Sequence, residues 1–169
     1  MLTLAVDSHV RSMAWAMVQV ETERPMGVGT VKVPKGLTQQ GCQDFWNGFA
    51  ANPSALGYTN PFSGACHLAI EIPDHLKSKS NKQLQDLVAL AMCAAAFCQG
   101  WTAHARTYDQ VQPRDWKGRN TKEATRFEME AACGKSRATT WTEHEVDAVA
   151  LGLWWCRNAK STALHNPTK

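Results

Sequence analysis

The cysteines of this chain lack the spacing that binds zinc or forms a redox pair. None of the six is separated from another by two residues in a C-x-x-C pattern, which argues against both kinds of site. Most of them lie in apolar or helical surroundings, and this favours buried, reduced thiols in a cytosolic protein.

Membrane spans, targeting signals and nucleotide loops are also missing. The sequence has no run of 18 apolar residues, so we expect no membrane partner. The N-terminus has no basic segment followed by an apolar stretch, which argues against secretion. No Gly-rich phosphate loop is evident, which disfavours an ATP-using protein. With no internal repeat or linker, the 169 residues predict one cytoplasmic domain over 1–169.

The chain has little net charge, but its basic residues are unevenly distributed. The formal net charge is +3, and most of the clustered lysines and arginines fall in two polar segments. Such clusters can follow a phosphate backbone, although a solvated surface has the same composition. The candidate DNA-binding residues are Lys77, Lys79, Lys82, Arg114, Lys117, Arg119 and Lys122.

Alternating apolar side chains predict a mixed α/β sheet. Short turns separate the first three strands, so we expect an antiparallel meander. Helical spacing of apolar residues predicts helices between and after the remaining strands. The predicted strands are 2–7, 13–21, 26–33, 66–72 and 102–108, and the predicted helices are 37–51, 81–99, 120–134 and 142–156.

The first and fourth predicted strands end in the same pattern. Ala5-x-Asp7 and Ala69-x-Glu71 each place an acid two residues after a small side chain. If the two strands are parallel neighbours, these acids lie side by side. Functional groups in open α/β sheets gather at the carboxyl ends of the strands.

The last helix carries a third acid at the edge of an apolar run. Thr142 and Glu145 have the spacing of a capping box, and residues 148–156 contain no charge. Asp147 precedes this run, and His144 lies one turn earlier on the same face. A carboxylate at the edge of a buried helix is costly unless it is paired or binds a cation.

Convergence of three acids predicts a metal site. Neighbouring carboxylates repel one another unless they are protonated or neutralised, and Mg²⁺ prefers oxygen ligands. Two such ions, about 3.5–4 Å apart, activate water and stabilise the leaving oxygen in phosphodiester hydrolysis.

These motifs resemble those of the RuvC-like Holliday junction resolvases, in the RNase H-like nuclease superfamily. The matching pieces are LAVD at 4–7, LAIE at 68–71 and HEVDAVALG at 144–152. The resemblance implies an RNase H-like five-stranded sheet, with a three-stranded antiparallel meander, two parallel strands and flanking helices. It also implies a homodimer that makes paired symmetric nicks in four-way DNA junctions, in recombination and repair, with two Mg²⁺ or Mn²⁺ ions per site.

The resemblance also assigns site residues. Asp7, Glu71 and Asp147 match the metal-binding and catalytic acids, and His144 falls where family members carry Asp or His. His144 is either a ligand, which favours Mn²⁺, or the group that positions water or protonates the leaving oxygen. Glu143 is an alternative to His144.

Two further features follow from the resemblance. Lys117 lies where family members carry lysines near the scissile phosphate, and we include it among the catalytic candidates. The alanine-rich helix at 81–99 is the candidate dimer interface. Trp116 either stacks on a splayed base or packs against this helix.

The sequence departs from the cellular members of the family. The first acid is followed by Ser8-His9 rather than Pro-Gly, and the loop after the second acid lacks the aromatic that some members insert at the junction centre. His75 or Leu76 are the candidates for that role. The pattern is therefore closer to the divergent viral branch.

Two other functions remain open from the sequence. One is a nuclease of the same fold that acts on RNA–DNA hybrid, flap or fork DNA. The other is a non-catalytic module that binds branched DNA. Retention of all three acids argues against the second, because clustered carboxylates destabilise a protein that does not use them.

Overall fold

The computed structural model of the chain describes residues 1–73, 81–117 and 122–165, without the side chains of residues 81, 82, 136, 137 and 160–165. Its strands are β1 Leu2–Ser8, β2 Ser12–Gln19, β3 Arg24–Lys32, β4 Ala65–Glu71 and β5 Thr107–Val111. Its α-helices are α1 Gln39–Ala51, α2 Asn81–Thr102, α3 Pro113–Trp116, α4 Lys122–Cys133, α5 Lys135–Ala138 and α6 Glu143–His165, and a 3₁₀ helix covers Pro53–Leu56.

The strands form one mixed sheet in the order β3-β2-β1-β4-β5. β1, β2 and β3 pair antiparallel, whereas β4 pairs parallel with both β1 and β5. The predicted three-stranded meander with two parallel strands is therefore confirmed.

The register of β1 against β4 places the two strand-end acids at one edge. Ala5 pairs with Ala69, and the ladder reaches the next pair of residues. The Ser8 hydroxyl then donates a 2.7 Å hydrogen bond to the backbone carbonyl of Glu71. Because this bond holds the carboxyl ends of both strands together, Asp7 and Glu71 lie next to each other, as the repeated pattern predicted.

Helices cover both faces of the sheet. On one face, α1 and α2 bury an aromatic cluster with the large side chains of β1 and β4. On the other face, α6 packs against the small side chains of β1 and β2. The fully buried aromatic residues of the first core are Trp46, Phe49, Phe62, Phe97 and Trp101.

A glycine sets the distance between α6 and the sheet. A Cβ atom at Gly152 would lie 2.6 Å from Cγ2 of Val18, which is too close unless Val18 moves, and 3.1 Å from Cβ of Ala5, which is a tight contact. The small residues of β1 and the glycine of α6 therefore let the helix lie directly on the strand. This packing brings the beginning of α6 over the carboxyl end of β1.

The prediction for β5 is wrong in its position. The strand lies at Thr107–Val111 rather than at 102–108, because α2 continues to Thr102. The predicted helix at 81–99 ends just before Gly100, but Gly100 lies inside α2. A Cβ atom there would lie 2.0 Å from the carbonyl oxygen of Asn47 on α1. Gly100 is therefore a close-packing position between two helices.

Other boundaries also differ. The helix predicted at 120–134 is observed at Lys122–Cys133, and Gly134 follows it with a φ of +89°, as expected of a C-terminal stop. The last helix continues beyond 156 to His165. The short helices α3 and α5 were not predicted, since a single turn carries too little periodicity.

The cysteines are free thiols, as predicted, and Cys42, Cys93, Cys98 and Cys156 are buried. Burial raises the pKa of Cys93 and Cys98 to about 11, so both are thiols at neutral pH. Such thiols are inert packing groups.

Within the described residues, one helical stretch is long and apolar enough to cross a membrane by length and composition alone. It is Gln83–Thr102 of α2. Its residues Phe97 and Trp101 are buried in the core against α1. The core helix of a globular protein passes the same test, so the stretch is weak support for a membrane span.

We predict that Gly100→Ala destabilises the fold because the added methyl group meets the backbone of Asn47. The free energy of unfolding should fall by about 1–3 kcal/mol or more, measured by urea denaturation. Gly48→Ala is the matched control, since its Cβ would meet only Leu56, at 3.6 Å. That variant should be neutral or more stable by up to about 1 kcal/mol. Equal stability of the two variants would contradict the close-packing role.

Candidate active site

Three carboxylates converge at the carboxyl edge of the sheet. Asp7 ends β1 and is buried, Glu71 ends β4, and Asp147 lies in the second turn of α6. The ammonium of Lys117 joins two of them, at 3.3 Å from Oε2 of Glu71 and 2.8 Å from Oδ2 of Asp147. The structure thus brings together the three acids that the sequence singled out.

A capping box fixes the beginning of α6. The backbone N–H of Glu145 donates to the Thr142 hydroxyl at 3.2 Å, and the backbone N–H of Thr142 donates to Oε2 of Glu145 at 2.8 Å. The Thr30 hydroxyl on β3 donates to Oε1 of the same glutamate at 3.0 Å. These bonds tie the first turn of the helix to the sheet, and they orient His144 and Asp147 towards β1.

Two imidazoles surround the Asp7 carboxylate. Nδ1 of His144 lies 2.8 Å from Oδ2 of Asp7, and Nε2 of His9 lies 3.6 Å from the same oxygen. The two ring nitrogens are 3.0 Å apart, and the rings meet edge to face with centroids 4.1 Å apart. Because Asp7 is buried among these groups, it is the centre of the cluster.

The imidazoles keep Asp7 ionised. Burial alone raises the pKa of Asp7, but the contacts with His144 and His9 together lower it by more. The net pKa of Asp7 is therefore below its ordinary value. The hydrogen bond to Asp7 raises the pKa of His144, against the opposing effect of partial burial. Each group therefore stabilises the charged form of the other.

His9 is a site residue that the sequence did not predict. The signal was present in the strand alternation, since residues two apart point to the same side. Continuing Ala5 and Asp7 by one step reaches His9. The departure from Pro-Gly at this position therefore introduces a group that contacts the first acid.

Glu71 is held by a tryptophan and a lysine. The indole N–H of Trp116 donates to Oε2 of Glu71 at 2.8 Å, beside the Lys117 ammonium. Burial and the nearby Asp7 charge raise the pKa of Glu71, and these contacts oppose the shift without cancelling it. Burial lowers the pKa of Lys117, but Asp147 and Glu71 raise it by more, so this lysine is charged.

A single helical turn brings Trp116 and Lys117 to this position. Val111 at the end of β5 pairs with Glu71, and α3 follows at once. The backbone N–H of Gln112 donates to Oδ2 of Asp115 at 3.1 Å, which holds the turn. Trp116 and Lys117 therefore lie next to Glu71, the residue that pairs with the last residue of β5.

The predicted packing of Trp116 against the helix at 81–99 is wrong. Its ring packs with the α6 core, on the sheet face opposite α2. The indole has two partners at the site, because Lys117 also lies 4.7 Å from the ring centroid. Trp116 is therefore a neighbour of the acids.

The remaining candidates lie around this centre or outside the described residues. Glu143, the alternative to His144, pairs with the exposed ammonium of Lys122 at 2.6 Å, and it is His144 that contacts Asp7. Arg114 is exposed beside Asp115. Lys77, Lys79, Arg119, His75 and Leu76 lie outside the described residues, and so does the side chain of Lys82.

The donors at this edge fit divalent cations. The ligand atoms of Asp7, His9 and His144 all lie within 4.8 Å of one another, and Glu71 and Asp147 add carboxylate oxygens beside them. Oxygen donors suit Mg²⁺ and Mn²⁺, and imidazole suits later transition metals. The lysine between two carboxylates also shows that this edge requires positive charge.

In metal-free protein, we predict that Asp7→Asn lowers the pKa of His144, because the carboxylate raises that pKa above its ordinary 6.5. Proton NMR titration in EDTA should show this shift. His67 is the internal control, since it stacks on Trp155 away from the cluster. An unchanged pKa of His144 would contradict the contact.

The contact between His144 and Asp7 also determines how the stability of the folded state changes with pH. A raised pKa of His144 stabilises the folded state fully below pH 6.5, and this stabilisation fades as the pH rises through the folded pKa. The lowered pKa of Asp7 stabilises the folded state above pH 3.8, and this is lost as the pH falls through its folded pKa. The pair therefore contributes most between these two values in metal-free protein.

Comparison with known proteins gives the fold a name. No family model matches the sequence, and no curated protein matches it. The structure is similar to RuvC of Thermus thermophilus in complex with a Holliday junction substrate, at 14% identity and a TM-score of 0.74, over 95% of this chain and 96% of that one. A second Thermus thermophilus RuvC structure matches at 14% identity and 0.73, over 96% and 97% of the two chains. The chain therefore has the RuvC-like fold of the RNase H-like class, in a strongly divergent sequence.

Proposed function

We propose that this protein is a metal-dependent endonuclease that resolves four-way DNA junctions by paired symmetric nicks. The observation that carries the proposal is the convergence of Asp7, Glu71, Asp147 and His144 at one sheet edge of a RuvC-like fold. One of the similar RuvC structures contains a Holliday junction substrate. We take residues 1–169 as one nuclease domain.

We propose that Asp7, Glu71, Asp147 and His144 hold two Mg²⁺ or Mn²⁺ ions. When bound, such ions activate water and neutralise charge on a scissile phosphate. Asp7 is kept ionised by the imidazoles and is therefore ready to bind a cation without losing a proton. Trp116 restrains Oε2 of Glu71 through its indole N–H.

Lys117 has a positioning and electrostatic role in this proposal. Its ammonium pairs with Glu71 and Asp147 and neutralises part of their charge. It remains charged because both carboxylates raise its pKa. The same ammonium lies at the site mouth, about a quarter exposed, and can contact a phosphate oxygen once other cations neutralise the acids.

The proposed DNA surface surrounds this edge. Lys117 contacts the acids, and Lys122 on α4 and Arg114 on α3 are exposed cationic groups. Such groups bind the phosphate backbone without reading sequence. We include Lys77, Lys79, Lys82 and Arg119 as predicted contacts from the sequence.

We also propose a homodimer through α2. The helix presents an apolar stripe to solvent, because Leu84, Val88 and Met92 recur every four residues and are each exposed. Its other side is buried against α1 and the sheet. Two nicks in one junction need two active sites, and a dimer supplies them. We place this activity in DNA recombination and repair in the cytoplasm, or in the host cytoplasm if the protein is viral.

We predict that Asp7→Asn, Glu71→Gln and Asp147→Asn each lower junction cleavage by at least about 100-fold, since metal ligation contributes several kcal/mol to transition-state stabilisation. Each change is isosteric, so junction binding should be retained within a few-fold. Gel assays of cleavage and of mobility shift measure the two quantities on the same preparations.

Asp44→Asn is the matched control for these variants. Asp44 lies on α1, on the opposite side of the sheet, where its carboxylate accepts a hydrogen bond from Gln40. Its amide variant should cleave as the wild type does. Wild-type cleavage rates in all three site variants would refute the proposed function.

We predict that Val88→Arg converts the dimer to a monomer, because a charge would be placed at the centre of the apolar stripe. Light scattering during gel filtration measures the mass directly. Phe127→Arg is the control, since Phe127 is an exposed apolar residue of another helix, α4. A monomeric wild-type protein, or a dimeric Val88→Arg variant, would contradict the α2 interface.

A further inference from the structure

We propose that His9 joins Asp7 and His144 in a site of two imidazoles and one carboxylate that prefers Mn²⁺ and Zn²⁺ over Mg²⁺. This inference deepens the proposed function and rests on its assignment of Asp7 and His144 as metal ligands. It adds a ligand that the sequence motifs do not supply, and it assigns the chemistry of one half of the site.

The distances among the three donor atoms fit one ion. Oδ2 of Asp7, Nδ1 of His144 and Nε2 of His9 are separated by 2.8, 3.0 and 3.6 Å. Metal–ligand bonds of about 2.1 Å that meet at octahedral or tetrahedral angles separate neighbouring donors by about 3.0–3.4 Å. The three observed separations lie within about 0.2 Å of this range.

The two ring nitrogens converge rather than turning to separate partners. Nε2 of His9 faces Nδ1 of His144, and both face the same oxygen of Asp7. A divalent cation bound between them would use one lone pair from each of the three atoms.

Burial and exposure in the cluster suit a binding site. The Asp7 side chain is only 6% exposed, whereas the His9 and His144 side chains are 42% and 51% exposed. The carboxylate is therefore a fixed anchor, and the two imidazoles beside it are open to solvent.

The two halves of the site differ in donor type. Glu71 and Asp147 meet the ammonium of Lys117 and offer oxygen atoms. The Asp7 half offers two nitrogens and one oxygen. Since imidazole donors favour later first-row metals and Mg²⁺ favours oxygen, the half that contains His9 should select the transition metal.

Metal binding to the full-length, EDTA-treated protein without DNA tests this inference. Titration calorimetry with Zn²⁺, Mn²⁺ and Mg²⁺ separately should give tighter binding of Zn²⁺ and Mn²⁺ than of Mg²⁺. His9→Ala should weaken Zn²⁺ and Mn²⁺ binding by at least about tenfold, as expected for loss of a ligating group, and should change Mg²⁺ binding by much less.

Two further variants control the experiment. His9→Gln keeps a polar side chain at the same position and should lose the same affinity, so it replaces His9→Ala if that variant does not fold. His104→Ala removes an exposed histidine that contacts the carbonyl of Ala51, and it should bind all three metals as the wild type does. Mn²⁺ should also broaden the His9 ring resonances in NMR spectra of the wild type.

The outcomes separate this inference from the proposed function. Equal Zn²⁺ and Mn²⁺ affinity in the wild type and both His9 variants would overturn the inference, even if the wild type cleaves junctions. Loss of affinity specific to the His9 variants would support it, even if no junction is cleaved. The measurement uses no DNA, so failure of the nuclease proposal cannot produce either result.

Discussion

The repulsion among Asp7, Glu71 and Asp147 is the constraint on which the structure of this site depends. Parallel pairing of β1 with β4 and the approach of α6 place three carboxylates together, and such a group is stable only with positive charge nearby. Lys117 lies on one side of the acids, and the imidazoles of His144 and His9 lie on the other. The surroundings of the acids are thus arranged for cations.

The packing of the fold serves this convergence. Small residues on β1 and β2 and the glycine of α6 allow the helix to lie on the sheet, and the capping box with Thr30 fixes where the helix begins. The opposite face carries the large aromatic core, where shape matters more than polarity. The site and the main core are therefore on different sides of one sheet, and substitutions in one can leave the other intact.

The strands that form the centre of the site could be predicted from sequence because their patterns are local. Alternation identified β1 and β4, and the repeated Ala-x-acid pattern predicted their register, which is confirmed. Gly100 misled the prediction because its role is a contact with Asn47, 53 positions away along the chain. The packing of Trp116 was mispredicted for the same reason, since its partner Glu71 lies on β4, 45 positions away along the chain. Long-range contacts of this kind leave no periodic signal.

The measurement that tests the central claim most directly is a cleavage assay on a labelled four-way DNA junction with purified wild-type protein. Reactions in Mg²⁺, in Mn²⁺ and in EDTA would be compared with reactions on linear duplex. The account predicts paired nicks at symmetric positions on opposing strands, present with either metal, absent in EDTA and absent on duplex. Tight junction binding without nicks in either metal would contradict it and favour a non-catalytic binding module.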